Sequence, residues 1–333
     1  MHTKLLKKYY LNWFLIFSLV CFCSPVVYSK SNQDPTIDNR QNVFIFYESV
    51  NDEHQEFVNQ LLTELTKEFS HYKFQTHDIT EPASIETNFK QKDCFVTVGL
   101  TPLKVVSAFR TANPIYSTYV SQFHLDKIID IYANFGSNIT GIYQEQSYLR
   151  QILLAKSIIP NLENVFLILN RNTRYQLDEY RSVTEKLNLN LDYKIVNLQT
   201  SPQIILAKYK NKNSALIVMN DQVHHNKEKL TSLLTTSYRN NIPIIGNRQS
   251  DIKYAAMASV YSNDSSLINE ISSDLPNFCS DRTQRKAKYL KSFGVNANQQ
   301  IGDYLGYTSL DTDDLKTLIN SMELNLKGKL KND

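Results

Sequence analysis

Apolar runs alternate with amphipathic stretches along most of this chain, which is the pattern of an α/β protein. Residues 42–47 form an almost unbroken apolar run, as expected of a buried parallel strand. Residues 52–69 follow as an amphipathic helix, with apolar side chains at helical spacing. The same reasoning predicts strands at residues 72–76, 94–98 and 114–120, and a helix at residues 103–111. Strands alternating with helices indicate a mostly parallel sheet covered on both faces.

The alternation restarts in mid-chain, after a polar turn at residues 136–141. A helix at residues 146–159 and a strand at residues 165–169 are predicted to open a second α/β series. Its further elements are predicted as helices at 175–187, 202–209 and 227–240, strands at 193–197, 215–219, 243–246 and 255–261, a helix from Ser265, a strand at 289–295 and a helix from Thr312. Two such lobes place a cleft between them, and clefts of this kind bind ligands.

The first 29 residues have the pattern of a targeting segment. Lys4, Lys7 and Lys8 form a basic start, and an apolar run over residues 11–22 is too short to span a bilayer comfortably. Small residues at the expected spacing predict cleavage after Ser29. We expect a signal peptide over residues 1–29, a loose polar leader over residues 30–40, and a periplasmic mature protein.

The four cysteines leave two questions open. Cys21 and Cys23 make a lipoprotein the competing interpretation of the N-terminal segment, although a lipobox has a small residue before its cysteine and here Val20 and Phe22 precede them. Cleavage leaves Cys94 and Cys279 in a compartment that permits disulfides. The sequence alone does not decide between one bridge and two separate buried thiols.

Removing the signal peptide changes the charge balance. The whole chain has 36 basic and 33 acidic residues. Cleavage removes three lysines and no acidic residue, so the mature protein has 33 of each and is formally neutral. Nucleic-acid binding therefore loses its main support, and no such partner is predicted.

An ordered set of short motifs runs through nearly all the mature chain. It comprises residues 96–102 (VTVGLTP), 113–115 (NPI), 136–141 (GSNITG), 159–161 (IPN), 241–244 (NIPI) and 302–306 (GDYLG). The set resembles the bacterial family of ABC-transporter substrate-binding proteins with a type I periplasmic-binding fold, in the branch that includes tryptophan- and phenylalanine-binding members. The chain departs from the family pattern at strand ends, where Leu100 replaces a threonine and Gln122-Phe123 replaces Asp-Pro.

The resemblance implies two Rossmann-like lobes joined by a multi-strand hinge. The first lobe is expected over residues 41–137 plus about 262–295, and the second over residues 138–261 plus about 296–333. Asn138, Thr140 and Tyr261 are the expected hinge residues. The implied function is solute binding for an ABC permease by a monomer that closes on a small molecule, most simply an amino acid or a related carboxylate. A ligand sensor of the same fold, partnering a membrane kinase or cyclase, is the alternative.

Candidate ligand contacts lie at the carboxyl ends of the predicted strands, which face the cleft in a sheet of this type. In the first lobe these are Glu48, Ser49, Gly99, Leu100, Thr101, Tyr119 and Ser121. In the second lobe they are Asn170, Arg171, Tyr175, Asn220, Asp221, Asn247 and Arg248. A helix start after Gly99 suits a carboxylate, an arginine such as Arg171 or Arg248 suits a bidentate clamp, and Asp221 suits an amine. For each of them an ordinary turn, cap or solvated side chain is the competing interpretation.

No constellation of catalytic or metal-binding residues accompanies these candidates. The chain has no nucleophile elbow, Walker loop or zinc-protease motif. His224 and His225 are adjacent, point in different directions, and have no cysteine or carboxylate cluster at ligand spacing. We therefore predict no cofactor, no metal and no enzymatic activity.

Overall fold

The structure, a computed structural model, describes residues 40–81, 89–171, 173–197, 200, 202–206, 213–218, 227–254, 256–308 and 310–329. Within these residues the chain forms two separate sheets, each with helices packed on both faces. The predicted α/β class with two lobes is confirmed. His224 and His225 lie outside the described residues.

The first sheet is parallel throughout, with the strand order β2-β1-β3-β4-β5. Its strands are β1 (Gln41–Tyr47), β2 (Tyr72–Asp78), β3 (Cys94–Val98), β4 (Ile115–Val120) and β5 (Ile139–Tyr143). Helices α1 (Asp52–Glu68) and α8 (Asp264–Asp281) pack on one face, and α2 (Leu100–Ala108) and α3 (Gln122–Ala133) pack on the other. Every residue of the three strands β3, β4 and β5 is buried, because helices cover both sides of the sheet. We call this sheet with its four helices the first lobe.

The second sheet has the strand order β11-β10-β9-β8-β6-β7 and is parallel except for the pair β10–β11. Its strands are β6 (Asn164–Asn170), β7 (Asn190–Val196), β8 (Ser214–Ile217), β9 (Ile244–Gly246), β10 (Ala258–Tyr261) and β11 (Gly294–Ala297). On one face lie α4 (Tyr148–Ile158), α5 (Leu177–Lys186), α9 (Gln299–Leu305) and α10 (Thr312–Lys329), and on the other α6 (Pro202–Leu206) and α7 (Lys227–Asn240). This sheet with its helices is the second lobe.

A disulfide joins two distant parts of the first lobe. Cys94 begins β3 and Cys279 lies near the end of α8, and their sulfur atoms are bonded across a sequence separation of 185. The open question about these cysteines is thereby answered in favour of a bridge. It fixes a helix from late in the chain onto a strand from early in the chain.

The sequence missed two elements before the first crossing between the lobes. Helix α3 was not predicted, and only Leu125 and Ile128 of its residues are buried. Strand β5 was not predicted either, because residues 136–141 were interpreted as the crossing itself. In the structure β5 pairs with β4, and Gly141 lies so close to the backbone of Ser117 that a side chain there would collide with it. The chain leaves the first sheet only after Tyr143.

Two other elements have shifted starts: α2 begins earlier than predicted and β11 begins later. Helix α2 starts at Leu100, directly after Gly99, rather than at residue 103. The strand expected at residues 289–295 begins only at Gly294, as β11. Just before its expected start, Lys288 still runs beside β5 and exchanges backbone hydrogen bonds with Gly141 and Tyr143. Leu290 still packs in the first lobe and Phe293 in the second, so the chain crosses at residues 291–292.

Candidate functional site

Three short segments join the lobes, at residues 144–147, 262–263 and 291–292. Gln146 ties all three together. Its amide nitrogen donates to Ser262 Oγ at 2.8 Å and to the Ser292 carbonyl at 3.2 Å. The side chain is only 3% exposed, so the junction is a buried and fully bonded amide rather than a loose linker.

Arg150 extends this junction into the second lobe. One guanidinium nitrogen donates to Gln146 Oε1 and to the Leu290 carbonyl, both at 2.7 Å. The other two nitrogens donate to the Glu323 carboxylate at 2.8 and 3.2 Å, which is a bidentate buried ion pair. Helix α4, helix α10 and the third crossing are thereby held in one network, which we call the crossing network.

A cleft of two adjoining cavities lies where the ends of the strands of both sheets face each other. The first cavity has a volume of about 1140 Å³ and the second about 950 Å³. Tyr119, Gln144 and Arg248 line both, so the cavities form one continuous cleft. Tyr119 comes from the first lobe, Arg248 from the second, and Gln144 from the first crossing segment. A ligand in this cleft would contact both lobes and the hinge.

Tyr119 lies at the centre of the cleft in a strained backbone conformation. Its φ is 58°, in the left-handed region that side chains other than glycine rarely adopt, and the pairing register of β4 with β5 is broken between Ser117 and Val120. Its hydroxyl donates to Asp264 Oδ1 at 2.6 Å, at the start of α8. Burial and the Asp264 carboxylate raise the pKa of the tyrosine, so it remains a hydrogen-bond donor. Backbone strain of this kind clusters at functional sites.

His54 covers the glycine turn that sequence had identified as an anion site. A side chain at Gly99 would meet the His54 ring at 2.6 Å, so the imidazole lies directly over the start of α2. Burial lowers the pKa of His54, although Glu53 and Glu48 oppose the shift. The histidine is therefore neutral near pH 7, and its Nδ1 is buried without a hydrogen-bond partner in the described structure. Its ring also makes an edge contact with Tyr119.

The second cavity is rich in cationic and aromatic side chains. Its charged residues are Lys127, Arg171, Arg174, Arg248 and Asp178. The one carboxylate among them, Asp178, is already bonded to Arg181 at 2.8 Å. Phe123 of the first lobe stacks on Tyr175 of the second, with ring centroids 3.8 Å apart. The cavity thus offers positive charge to an anionic group, beside an aromatic contact that joins the two lobes.

The first cavity is more acidic, with Glu53, Glu145 and Asp264 beside Arg248 and Lys253. Glu145 accepts a hydrogen bond from the backbone N–H of Gln122 at the start of α3, and its second oxygen is buried without a partner. Burial raises the pKa of Glu145 to about 7, and the nearby carboxyl groups of Glu179 and Asp126 add to the rise. No lysine or arginine among the described residues pairs with it.

The structure brings more than half of the described candidate residues together in the cleft. Asn247, Arg248 and Tyr119 line the first cavity. The second is lined by Leu100, Tyr119, Ser121, Asn170, Arg171, Tyr175 and Arg248. Polar groups of Asn170 already have partners, because its side-chain oxygen and its backbone N–H both form hydrogen bonds with Thr173. Asn220 and Asp221 lie outside the described residues, so the proposed amine contact of Asp221 stays a prediction.

Four candidates from the first lobe line neither cavity. Ser49 donates its backbone N–H to Asp78, and although burial raises the pKa of that carboxyl, hydrogen bonds from Ser49 and Thr80 lower it to about 2. Glu48 precedes this turn, and its carbonyl accepts from Asn51. Gly99 lies behind His54, and Thr101 is an exposed residue within the first turn of α2.

Two of the three expected hinge residues lie away from the crossings. Asn138 directly precedes β5 and donates to the Arg282 carbonyl at 2.8 Å, and Thr140 is buried in β5, so both belong to the first lobe. Tyr261 ends β10 next to the second crossing and lines the first cavity. The side chain of Gln146 makes the hydrogen bonds that join the crossing segments to one another. Sequence reasoning missed Gln146 because it was interpreted as the first residue of a helix.

Several cleft residues were not foreseen. Among them are His54, Phe123, His124, Gln144, Glu145 and Asp264. Gln144 and Glu145 follow β5, and Phe123 and His124 begin α3, so both pairs were lost with the two unpredicted elements. Asp264 follows the end of β10 by three residues, and reading slightly further past each strand end would have found it.

Neither a metal centre nor a membrane span is found in the part of the chain that the structure describes. No three histidine, cysteine or carboxylate side chains there are placed to hold a metal ion. No described helix is both long enough and apolar enough to cross a membrane.

Comparison with known proteins places the chain in a family. The model of the ABC transporter substrate-binding protein family matches residues 67–267, more than half of the chain. A search of curated proteins gave no significant match.

Solved structures share the fold at low sequence identity. A conserved domain protein from Vibrio cholerae has a TM-score of 0.55 at 15% identity, over 83% of this chain and 98% of that one. The ligand-free, open form of a substrate-binding protein with adhesive properties from Clostridium difficile has a TM-score of 0.63 at 14% identity, over 81% and 96%. An ABC domain from Streptococcus pneumoniae in complex with L-Trp has a TM-score of 0.53 at 14% identity, over 80% and 95%.

The two mostly parallel sheets, the three crossings and the cleft between them form the type I periplasmic-binding fold. Proteins of this kind bind small molecules and deliver them to ABC permeases. Together with the family match, the architecture gives the conclusion that this chain belongs to the ABC transporter substrate-binding protein family.

Proposed function

We propose that this protein is the exported solute-binding component of an ABC-type uptake system, and that it closes its two lobes on a small organic molecule. The observation that carries the proposal is the cleft itself. Tyr119 and Arg248 come from different lobes, yet both line the two cavities. A molecule that contacts both would favour the closed form over the open one, which is how binding energy drives hinge closure.

An amino acid or a related carboxylate is the ligand class that the lining supports best. The cations of the second cavity, above all Arg171, Arg174 and Arg248, suit a carboxylate. The carboxyl groups of the first cavity suit an amine. Tyr119 lies between the two sets, and its ring suits an apolar or aromatic part of the ligand. The relative from Streptococcus pneumoniae was solved with L-Trp, which agrees with this class.

Export follows from the N-terminal segment, and the role is binding rather than conversion. The basic start and short apolar run of residues 1–29 support a cleaved signal peptide and a periplasmic location. The groups around the ligand space are suited to hydrogen bonding and ion pairing. Mass spectrometry of the protein from a periplasmic extract should give a mature N-terminus at Lys30, whereas a lipid-modified Cys21 or Cys23 would overturn this part of the proposal.

A thermal-shift screen tests the binding function. The purified, dialysed protein is heated with each of the common L-amino acids and with small carboxylates, and the true ligand class should raise Tm. Arg248→Ala should weaken that ligand by roughly tenfold or more, because it removes a charged hydrogen bond. Arg285→Ala is the matched control, since Arg285 pairs with Asp281 on the surface and lines neither cavity. The absence of a shift with every compound would overturn the proposed ligand class.

Delivery to a permease needs its own test. A strain that lacks this protein should lose uptake of the radiolabelled ligand found in the screen, and the wild-type gene should restore it. Unchanged uptake in the deletion strain would contradict the transport role while leaving the binding result intact.

A further inference from the structure

The lobes also contact each other away from the three crossing segments, at the first turn of α3. The ring of Phe123 in the first lobe stacks on the ring of Tyr175 in the second, with the ring planes inclined by 17°. Beside this stack, the Tyr289 hydroxyl of the first lobe donates to Gln122 Oε1 at 2.6 Å. Glu179 Oε1 of the second lobe lies 3.1 Å from the same hydroxyl. We call these five residues the interlobe clasp.

The two sides of the clasp match in spacing. On the first lobe, Gln122 and Phe123 are neighbours at the start of α3. On the second lobe, Tyr175 and Glu179 are four residues apart, in the short helical turn Arg174–Gln176 and in α5, which continues it. Residues at this spacing lie on the same face of a helix. One helical turn of each lobe therefore meets the other through an aromatic contact and a polar contact.

The polar half of the clasp reaches Glu179 from two groups of the first lobe. Burial raises the pKa of Glu179, and hydrogen bonds from Tyr289 and Gln122 oppose that rise. Both donors thus favour the ionised carboxylate, which is the stronger acceptor. Moving the lobes apart would break these bonds together with the ring stack, and a stack of this kind changes an equilibrium constant by about two- to tenfold.

The clasp borders the ligand cleft. Phe123 and Tyr175 both line the second cavity, and Ser121 and Arg174 line it from nearby positions in the chain. Ser121 belongs to the first lobe and Arg174 to the second, so the stack holds two walls of the cavity together. Tyr289 lines neither cavity of the cleft. A substitution at Tyr289 therefore acts on binding through the lobe arrangement.

We propose that the interlobe clasp positions the two halves of the ligand site, because it holds the lobes in the arrangement seen here through contacts between protein groups alone. This inference rests on the proposed function, since it takes the cleft to be the ligand site. The apparent dissociation constant is the intrinsic one divided by the fraction of molecules that are competent to bind. A clasp that raises this fraction tightens binding by preorganisation.

Small-angle X-ray scattering of the purified, dialysed protein tests the clasp without any added ligand. Phe123→Ala removes the stack and Tyr289→Phe removes the hydroxyl, and each variant should have a larger radius of gyration than wild type because its lobes spend more time apart. Tyr175→Phe keeps the ring and should keep the wild-type value. Phe135→Ala is the matched control, since Phe135 is a half-exposed aromatic residue just after α3 that lines neither cavity.

Calorimetry with the amino acid that gives the largest thermal shift tests the effect on binding. Tyr289→Phe should weaken binding by roughly two- to tenfold, the contribution of one hydrogen bond to an equilibrium constant. A saturating concentration of that amino acid should return the radius of gyration of the variant to the wild-type value. Phe135→Ala should bind as tightly as wild type. Because Tyr289→Phe keeps the ring against Tyr143, it remains informative even if Phe123→Ala fails to fold.

The outcomes separate the clasp from the proposed function. Unchanged radii of gyration in both Phe123→Ala and Tyr289→Phe would overturn the proposal. A larger radius in Tyr289→Phe with unchanged affinity would overturn the positioning role. Failure of the proposed function gives a different result, because no amino acid or carboxylate then shifts Tm while the scattering difference between wild type and the clasp variants persists.

Discussion

The crossing network and the cleft lining both contain buried polar groups, but they satisfy those groups to different degrees. In the crossing network, Gln146 and Arg150 make hydrogen bonds with every side-chain nitrogen, and Glu323 accepts with both oxygens. In the cleft, His54, Glu145 and Asn247 each keep a buried atom with no partner in the described structure. Tyr119 adds a strained backbone.

This difference predicts different roles for the two regions. A buried network whose groups are all bonded has one arrangement of lowest free energy, so it can fix where the chain passes between the lobes. Buried groups without partners raise the free energy of the empty protein, and a ligand that supplies the partners recovers that free energy on binding. The crossing network should therefore respond to mutation through stability, and the cleft should respond through ligand affinity.

The largest effect is expected at Arg150. Arg150→Met removes the guanidinium and leaves the Glu323 carboxylate and Gln146 Oε1 buried and unpaired. The free energy of unfolding, measured by urea denaturation, should fall by about 3–5 kcal/mol. Arg181→Met is the matched control, because Arg181 and Asp178 form an exposed pair that contributes at most about 1 kcal/mol.

A double variant sharpens this first prediction. Arg150→Met combined with Glu323→Leu removes the uncompensated carboxylate, so it should be more stable than Arg150→Met alone. If the double variant is as unstable as the sum of both single variants, the two residues are not coupled and the crossing network is not a unit.

The second-largest effect is expected when the disulfide is removed. Cys94→Ala with Cys279→Ala removes the bond between β3 and α8, which lies within the first lobe and away from the cleft. Because the bond closes a long loop of the unfolded chain, its loss should lower the free energy of unfolding by about 2–5 kcal/mol. Ligand affinity in calorimetry should remain within about twofold of the wild-type value. A large loss of affinity would show that the first lobe must be fixed for the cleft to form.

Substitution of Glu145 should raise stability at high pH, whereas the substitutions above lower stability. The folded protein holds the Glu145 proton more tightly than the unfolded chain does, because the pKa rises from 4.5 to about 7. Stability from this group is thus present below the lower value and is lost as pH rises toward the higher one, by roughly 3 kcal/mol at 1.36 kcal/mol per unit. Glu145→Gln should therefore be more stable than wild type at about pH 8 and equal to it near pH 4.

Urea unfolding at the two pH values checks this prediction. Glu179→Gln is the comparison variant, since the pKa of Glu179 is raised in the same direction and the side chain is less deeply buried. A Glu145→Gln protein that is less stable than wild type at both pH values would mean that the ionised carboxylate is a structural acceptor for the start of α3.

The smallest effect is expected at Tyr119. Tyr119→Phe keeps the ring against His54 and Phe57 but removes the hydroxyl that donates to Asp264. Stability should fall by about 1–2 kcal/mol, because one charge-assisted hydrogen bond is lost. Ligand affinity should change more than it does for Tyr116→Phe, the matched control, whose hydroxyl also donates to an aspartate, Asp274, but lines neither cavity. Equal affinity changes in both variants would show that the Tyr119 hydroxyl does not contribute to ligand binding.

The fold was largely predictable because its central strands are apolar on both faces. Strands β1, β3 and β6 are nearly continuous apolar runs, and runs of that kind are visible without any knowledge of tertiary contacts. Helix α3 and strand β5 were missed for physical reasons. Helix α3 buries few of its residues, and β5 is a short strand with a glycine that the close approach of β4 requires.

The candidate site was predictable only as far as the strand ends were. Tyr119 lies at the end of a correctly predicted strand, Arg171 and Arg248 follow two others, and all three line the cleft. Glu145 follows β5 and Phe123 lies in the first turn of α3, and neither element was predicted. His54 could not be found from the sequence for another reason, since it reaches the cleft from the first turn of α1 and its position over Gly99 depends on how α1 packs on the sheet beside the end of β3.

A crystal structure grown with the amino acid or carboxylate that gives the largest thermal shift tests the central claim most directly. The account predicts density for that molecule between Tyr119 and Arg248, with its carboxylate toward the cations of the second cavity and the two lobes in contact with it. Density for the molecule outside the cleft, or a cleft without density at a saturating concentration, would contradict it.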